Sequence, residues 1–207
     1  MTTETRTVPP RLTGKEFEGI IVDRMKKDRA ALRWHVGRYG VQAVRMKEGP
    51  VLIQSLPDFE GVVYPVGTQV IFDAKVCSQA SFNLAKYRDE TRGARARQLR
   101  HMLDRAAFGA ICGFVIHWNE RQLSRRLDEA ATYWFPVAPN SFWGDFLSGD
   151  VRAIRRSDCV EHGSRIEWVA LGMERTARPD IYSAVMRLIA SPRHENQRAT
   201  RVRRGPR

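Results

Sequence analysis

Acids and a lysine stand in chemically suggestive order in two nearby stretches, Pro57-Asp58-Phe59-Glu60-Gly61 and Val70-Ile71-Phe72-Asp73-Ala74-Lys75. Side chains of a strand alternate between faces, so Asp73 and Lys75 project together while Phe72 and Ala74 point the other way. If the two stretches pair as a hairpin, Asp58 opens the neighbouring strand and its carboxylate comes close to that of Asp73. Two carboxylates brought together at a sheet edge repel unless a cation sits between them, and hard oxygen ligands suit Mg²⁺, with Mn²⁺ as its substitute. Such an ion polarises a phosphate ester and lowers the pKa of a bound water. Lys75 would orient that water, help to deprotonate it, or neutralise developing charge. The backbone carbonyl of Ala74 offers a further metal ligand. Glu18, at the edge of the apolar face of an earlier helix, is the natural third carboxylate. An Asp-x-Lys tripeptide alone is common on solvated strands. Here Pro-Asp opens one strand and an apolar run leads straight into Asp73, where a charge needs either solvent or a metal.

The elements that must position these groups can be read around them. Thr13 and Glu16 have the spacing of a capping box, and Phe17, Ile20, Ile21 and Met25 recur at helical intervals up to Arg29. From Arg33 to Ile53, short alternating runs broken by Gly37, Gly40 and Gly49-Pro50 predict strands joined by turns, rich in cations. Asp58–Tyr64 and Gln69–Lys75 predict an antiparallel hairpin across Pro65-Val66-Gly67-Thr68. A helix is expected from Arg92 to Ala107, with Leu99, Met102, Leu103 and Ala106 inward. Ala110–Trp118 is a near-continuous apolar run, the mark of a strand buried on both faces. Thr132–Val137 and Arg165–Leu171 predict strands, Ser141–Leu147 a short helix and Asp180–Ala190 a last helix.

The chain carries 35 lysines and arginines against 23 acids, a formal net charge of +12, mostly from arginine. Such an excess points to polyanions, nucleic acid first. No apolar run approaches the roughly 20 residues that span a bilayer, and the polar stretch Met1–Arg11, with Pro9-Pro10, does not read as a signal peptide. Cys77, Cys112 and Cys159 form no CxxC pair, which argues against a disulfide framework or a zinc knuckle and fits a reducing, cytoplasmic setting. The histidines show no metal-ligand spacing. The expected organisation is a flexible segment over 1–12, one domain over 13–190, and a disordered basic tail over 191–207.

At the residues named first, the chain resembles the RecU-type Holliday junction resolvases of the PD-(D/E)xK nuclease superfamily, also described as penicillin-binding-protein-related factor A. The likeness runs from Gly14 to Trp143. Gly14-Lys15-Glu16-Phe17-Glu18 is similar to the family's opening helix, whose active-site glutamate falls on Glu18. Ser55 to Val62 resembles the segment with the first metal aspartate, and Phe72-Asp73-Ala74-Lys75 matches the second acid and the lysine. Ser81-Phe82-Asn83-Leu84, Gln98, Gly113 to Ile116, Tyr133 to Pro136 and Phe142-Trp143 continue the order. Asn83 stands where the family has proline, Val76 where a polar residue is common, and Arg97 where histidine is expected.

The resemblance implies an α/β, restriction-endonuclease-like core, a central mixed β-sheet flanked by helices. It also implies a homodimer, paired symmetric nicks in branched DNA, and a projecting hairpin over Val36–Gln54. Glu18, Asp58, Asp73 and Lys75 are then the expected catalytic residues, with Mg²⁺ on Asp58, Asp73, Glu18 and the Ala74 carbonyl. Arg38, Arg45, Lys47, Arg95, Gln98 and Arg100 are the expected DNA contacts, although the arginines of Arg92–Arg105 read equally as a solvated helix face. Trp34 and Tyr39 could stack on bases, and Trp34 reads as readily as core. Cleavage of linear duplex DNA and non-catalytic DNA binding stay open as alternatives.

Overall fold

The computed structural model describes residues 8–38, 42–46, 49–53, 57–88, 93–124, 127–170 and 177–190. Helix α1, Gly14–Ala30, begins with the expected capping box: the Thr13 hydroxyl accepts from the Glu16 backbone N–H at 3.3 Å, and Glu16 Oε2 accepts from the Thr13 N–H at 2.7 Å. Its buried face carries Phe17, Ile21 and Met25, with the charged pair Arg24 and Asp28. Strand β1, Trp34–Arg38, is followed by β2, Gln42–Met46, β3, Gly49–Ile53, β4, Phe59–Val63, and β5, Thr68–Cys77. A short β6, Ser81–Asn83, and a 3-10 turn at Ala85–Tyr87 lead to α2, Ala94–Ala107, and then to β7, Ile111–Trp118. The chain continues through β8, Arg121–Gln122, β9, Leu127–Asp128, β10, Ala131–Val137, α3, Ser141–Ser148, β11, Ala153–Arg155, and α4, Arg156–His162. It ends with β12, Ser164–Ile166, β13, Trp168–Val169, β14, Arg178–Pro179, and α5, Ile181–Ile189.

Six strands make the central sheet in the order β1-β4-β5-β7-β10-β12. The β5–β7 pair is parallel and the remaining pairs are antiparallel, so the sheet is mixed, as expected. Every residue of β7 is buried, which is what its unbroken apolar run predicts for a strand covered on both faces. One face packs under α2, α3 and α4 through Ile71, Leu99, Met102, Phe114, Trp143 and Phe146. The other packs under α1 and α5 through Phe17, Ile21, Phe72, Val115, Trp134 and Val185. Gly113 makes the second face possible: a Cβ there would fall 2.5 Å from the Trp134 ring.

Several expectations change in detail. The hairpin expected over Val36–Gln54 is narrower, because Trp34 and Val36 alternate inward and carry β1 into the main sheet; β2 and β3 pair as a separate ladder, and Gln54 lies outside the described residues. Trp34 is core, edge-on to Tyr182 at 5.8 Å, so it is not free to stack on bases; Tyr39 lies outside the described residues. The late strand expected over Arg165–Leu171 breaks at Glu167, whose carbonyl accepts the Asp180 N–H at 2.7 Å, leaving β12 on the sheet and β13 paired with β14. Residues 8–12, which the sequence reading assigns to a flexible lead-in, are tied down. The Pro10 carbonyl accepts from the Glu120 N–H at 2.7 Å, and Asn119 bonds both backbone groups of Leu12. The tail over 191–207 lies outside the described residues.

Candidate active site

The β4–β5 hairpin assembles the acid-lysine group at the end of its ladder. Register pairing runs from Val63↔Thr68 to Phe59↔Phe72, where the two phenylalanine rings stack at 4.9 Å on the α1 face. One residue beyond, β5 no longer has a strand partner on that edge, and Asp58 takes its place. Asp58 Oδ2 accepts the Ala74 backbone N–H at 3.2 Å, and the Asp58 N–H donates to Asp73 Oδ1 at 3.1 Å. Each carboxylate is therefore fixed by a main-chain donor, which leaves little freedom to the pair. Strand alternation puts Asp73 and Lys75 on the face under α2, and the ammonium lies between the two acids. Its Nζ is 2.8 Å from Asp73 Oδ2 and 3.4 Å from Asp58 Oδ2.

Burial grades the group. Asp73 is 0% exposed, whereas the side chains of Asp58 and Lys75 keep 24% and 21% of their surface. Desolvation pushes the Asp73 carboxyl up to about 7; the Lys75 ammonium opposes this, and the neighbouring Asp58 adds to it. Desolvation also works upward on Asp58, but its hydrogen bonding with Asp73, the Lys75 charge and the Ala74 N–H outweigh it and hold that carboxyl below the usual range. For Lys75, burial works against the charge while Asp73 and the other anions nearby win, so the ammonium is held well above its ordinary range. One acid is ionised, one is poised near neutrality, and a fixed cation bridges them.

Asp73 Oδ2 is fully buried and meets the ammonium at 2.8 Å as an ion pair, with no hydrogen-bond partner among the described residues. A buried carboxylate oxygen left in this state, beside a second carboxylate that touches the same ammonium, fits a hard divalent cation. The Ala74 carbonyl leaves its strand on the same edge as the Ala74 N–H, toward Asp58, because both main-chain groups of one strand residue point the same way.

Glu18 is not brought to this pair. Helix α1 packs on the opposite face of the sheet from Asp73 and Lys75, and the Glu18 carboxylate is taken by the Arg38 guanidinium. Among the described residues no three His, Cys, Asp or Glu side chains lie together as a metal cluster. Arg38 stands opposite Phe59, one residue from Asp58, so the Glu18–Arg38 pair borders the same end of the sheet. Arg95, Arg97 and Arg100 are exposed on α2, Gln98 is half-buried, and the Arg95 guanidinium lies 5.9 Å over the Tyr87 ring. The side chain of Arg45 and all of Lys47 lie outside the described residues.

Tyr87 is the group that sequence reasoning missed. It ends a single 3-10 turn, too short to show periodicity, yet it is 2% exposed with its hydroxyl buried and unpartnered. Its packing on Phe114, the residue across from Asp73 in the parallel ladder, brings it over the site.

No protein-family model matches the chain, and no curated protein matches its sequence. Among solved structures the chain is similar to Hjc, a Holliday junction resolvase from the archaeal hyperthermophile Archaeoglobus fulgidus, with a TM-score of 0.40 and 17% identity, over 73% of this chain and 95% of that one.

Proposed function

We propose that this protein is a metal-dependent endonuclease acting on branched DNA, and that it resolves four-way junctions by paired nicks as a homodimer. The observation that carries this reading is the convergence of Asp58 and Asp73 on the single ammonium of Lys75, at the end of a hairpin on a mixed α/β sheet. The order of motifs from Gly14 to Trp143 that resembles the RecU-type resolvases supports the choice of branched substrate, and the +12 net charge supports a polyanion.

Asp58 and Asp73 would hold Mg²⁺ or Mn²⁺, with the Ala74 carbonyl as a further ligand. A divalent cation bound there supplies Lewis acidity to a scissile phosphate. The chain's own residues do the rest. The main-chain N–H groups of Asp58 and Ala74 fix the direction of the two carboxylates. Lys75, held protonated, offers its charge to the phosphate oxygens and orients the attacking water. Arg95 and Arg100, exposed on α2, would contact the flanking phosphate backbone.

Purified protein with Mg²⁺ on a synthetic four-way junction and on a linear duplex of matched sequence tests the reading. Symmetric nicks on the junction alone are expected. Asp73→Ala should abolish them, with junction binding by gel shift retained. Cutting of the linear duplex would move the substrate class to ordinary duplex DNA. Binding without cleavage under any divalent ion would remove the enzymatic reading altogether.

A further inference from the structure

Lys75 and a divalent cation compete for the same place. The ammonium touches one oxygen of each acid, at 2.8 and 3.4 Å, and a cation held by the same two carboxylates would meet its charge there. An ammonium has three donors and no acceptor, and Lys75, only 21% exposed, needs another acceptor near the acids if its charge is to stay beside them when it leaves the two carboxylates. The described residues around it are largely apolar: Ile71, Phe114 and Ile116 face the same layer. One group stands apart. The Tyr87 hydroxyl is buried, carries two acceptor lone pairs, and has no hydrogen-bond partner among the described residues.

The fold holds Tyr87 there firmly. Its N–H donates to the Leu84 carbonyl at 2.8 Å, and its ring is clamped edge-on by Phe114 at 5.4 Å and by Phe82 at 5.9 Å. Arg95 closes its outer side. Phe114 pairs in register with Asp73, so the phenol lies over the strand segment that bears Asp73 and Lys75. An orphaned hydroxyl in a packed core costs stability, and such a group calls for a specific explanation. Burial pushes the phenol well up, the Lys75 charge pulling the other way, so the hydroxyl stays neutral at working pH and can act as an acceptor.

We propose that the Tyr87 hydroxyl receives the Lys75 ammonium when a divalent cation enters between Asp58 and Asp73, which makes Tyr87 a positioning residue of the site. This rests on the metal-site reading given above. The hand-over keeps the lysine charge beside the reacting phosphate instead of expelling it to solvent. It also gives the otherwise unsatisfied phenol its partner in the loaded state.

The test is a double-mutant cycle on Mn²⁺ binding by the full chain without DNA, read by isothermal titration calorimetry at mildly alkaline pH. Tyr87→Phe keeps the ring and its contacts and removes only the oxygen. It is expected to weaken Mn²⁺ about tenfold, the loss of one hydrogen bond to a charged group. In a Lys75→Met background no ammonium needs a new acceptor, so the same change should alter affinity by less than about twofold. An equal effect of Tyr87→Phe in both backgrounds, or no effect in either, overturns the role of Tyr87 and leaves the metal site standing. If the wild-type chain takes up no Mn²⁺, or takes it up equally well as Asp73→Asn, the metal site itself falls, and this proposal with it.

Discussion

Asp73 and His117 are two buried titratable side chains whose effects on stability run in opposite directions with pH. Burial lifts Asp73 to about 7, so its contribution to folding is complete below the ordinary carboxylate range and is lost as pH rises through about 7. His117 lies in the core with Nδ1 2.9 Å from the Thr132 hydroxyl, and burial depresses it to about 4. Its contribution is complete above the ordinary imidazole range and is lost as pH falls through about 4. Asp58, held low, and Lys75, held high, change charge outside that window. Without divalent ions the two slopes largely offset one another in the wild-type chain. Asp73→Asn removes the falling slope and leaves the rising one, so its urea midpoint should climb between about pH 4 and about pH 6.5 while that of the wild type changes less. An identical profile for both chains would mean that Asp73 is not the group held protonated. At this scale the grouping of Asp58, Asp73 and Lys75 was legible in the sequence because alternation puts Asp73 and Lys75 on one face and the hairpin pairing brings Asp58 beside them. Glu18 was misplaced because helical spacing tells which residues face inward and not which sheet face the helix covers.

Helix α1 is joined to α5 by a buried ionic clamp. Arg24, 1% exposed, meets Asp28 at 2.9 Å and Asp180 at 3.0 Å, and Asp180 also caps α5 by accepting from the Ser183 N–H at 3.3 Å and its hydroxyl at 2.7 Å. Removing Asp28 leaves the buried Arg24 charge with Asp180 alone, a partner 17% exposed. Asp28→Ala should therefore cost about 3–5 kcal/mol in chemical denaturation, whereas replacing Arg24 and Asp28 together with methionine and leucine should cost much less. A similarly small loss in the single variant would show that water reaches Arg24. Gly113 offers a second measurement at this scale. A methyl group there collides with the Trp134 ring, held between Phe72 and the rest of the core, so Gly113→Ala should destabilise the chain by about 1–3 kcal/mol. The long elements were legible in advance because their periodicity extends over several turns or a whole strand: α1 with its capping box, the β4–β5 hairpin, β7 and α2. The pair β6–β11, the helix α4 and the break after Ile166 were not. Each spans only a few residues, and tertiary contacts such as the Leu84 N–H donating to the Arg152 carbonyl at 3.0 Å decide it.

For the molecule as a whole, charge and architecture act on different quantities. The sheet and its two apolar layers set where the acids lie, while the arginine excess would set how binding to the proposed DNA substrate responds to salt. Residues 192–207 contribute six arginines against one glutamate. Deleting them should weaken junction binding mainly at low ionic strength and make the plot of log affinity against log salt shallower, because fewer counterions are released. An unchanged slope would exclude that segment from the DNA contact. The runs along the chain announce helices and strands around an αβ core, while the fold class itself, a mixed sheet flanked by helices, was what the family resemblance implied.

The parallel pairing of β5 with β7 also bears on synthesis. All three chemical side chains are present once residue 75 has been made, but the strand that carries Asp73 and Lys75 gains its inner neighbour only when Ile111–Trp118 has folded beside it. Parallel strands need a long crossover, here the segment containing α2, before they can meet. A ribosome-bound chain that stops short of β7 holds Asp58, Asp73 and Lys75 without the strand that walls in Asp73. The burial that lifts the Asp73 carboxyl is thus completed only when most of the sheet has closed.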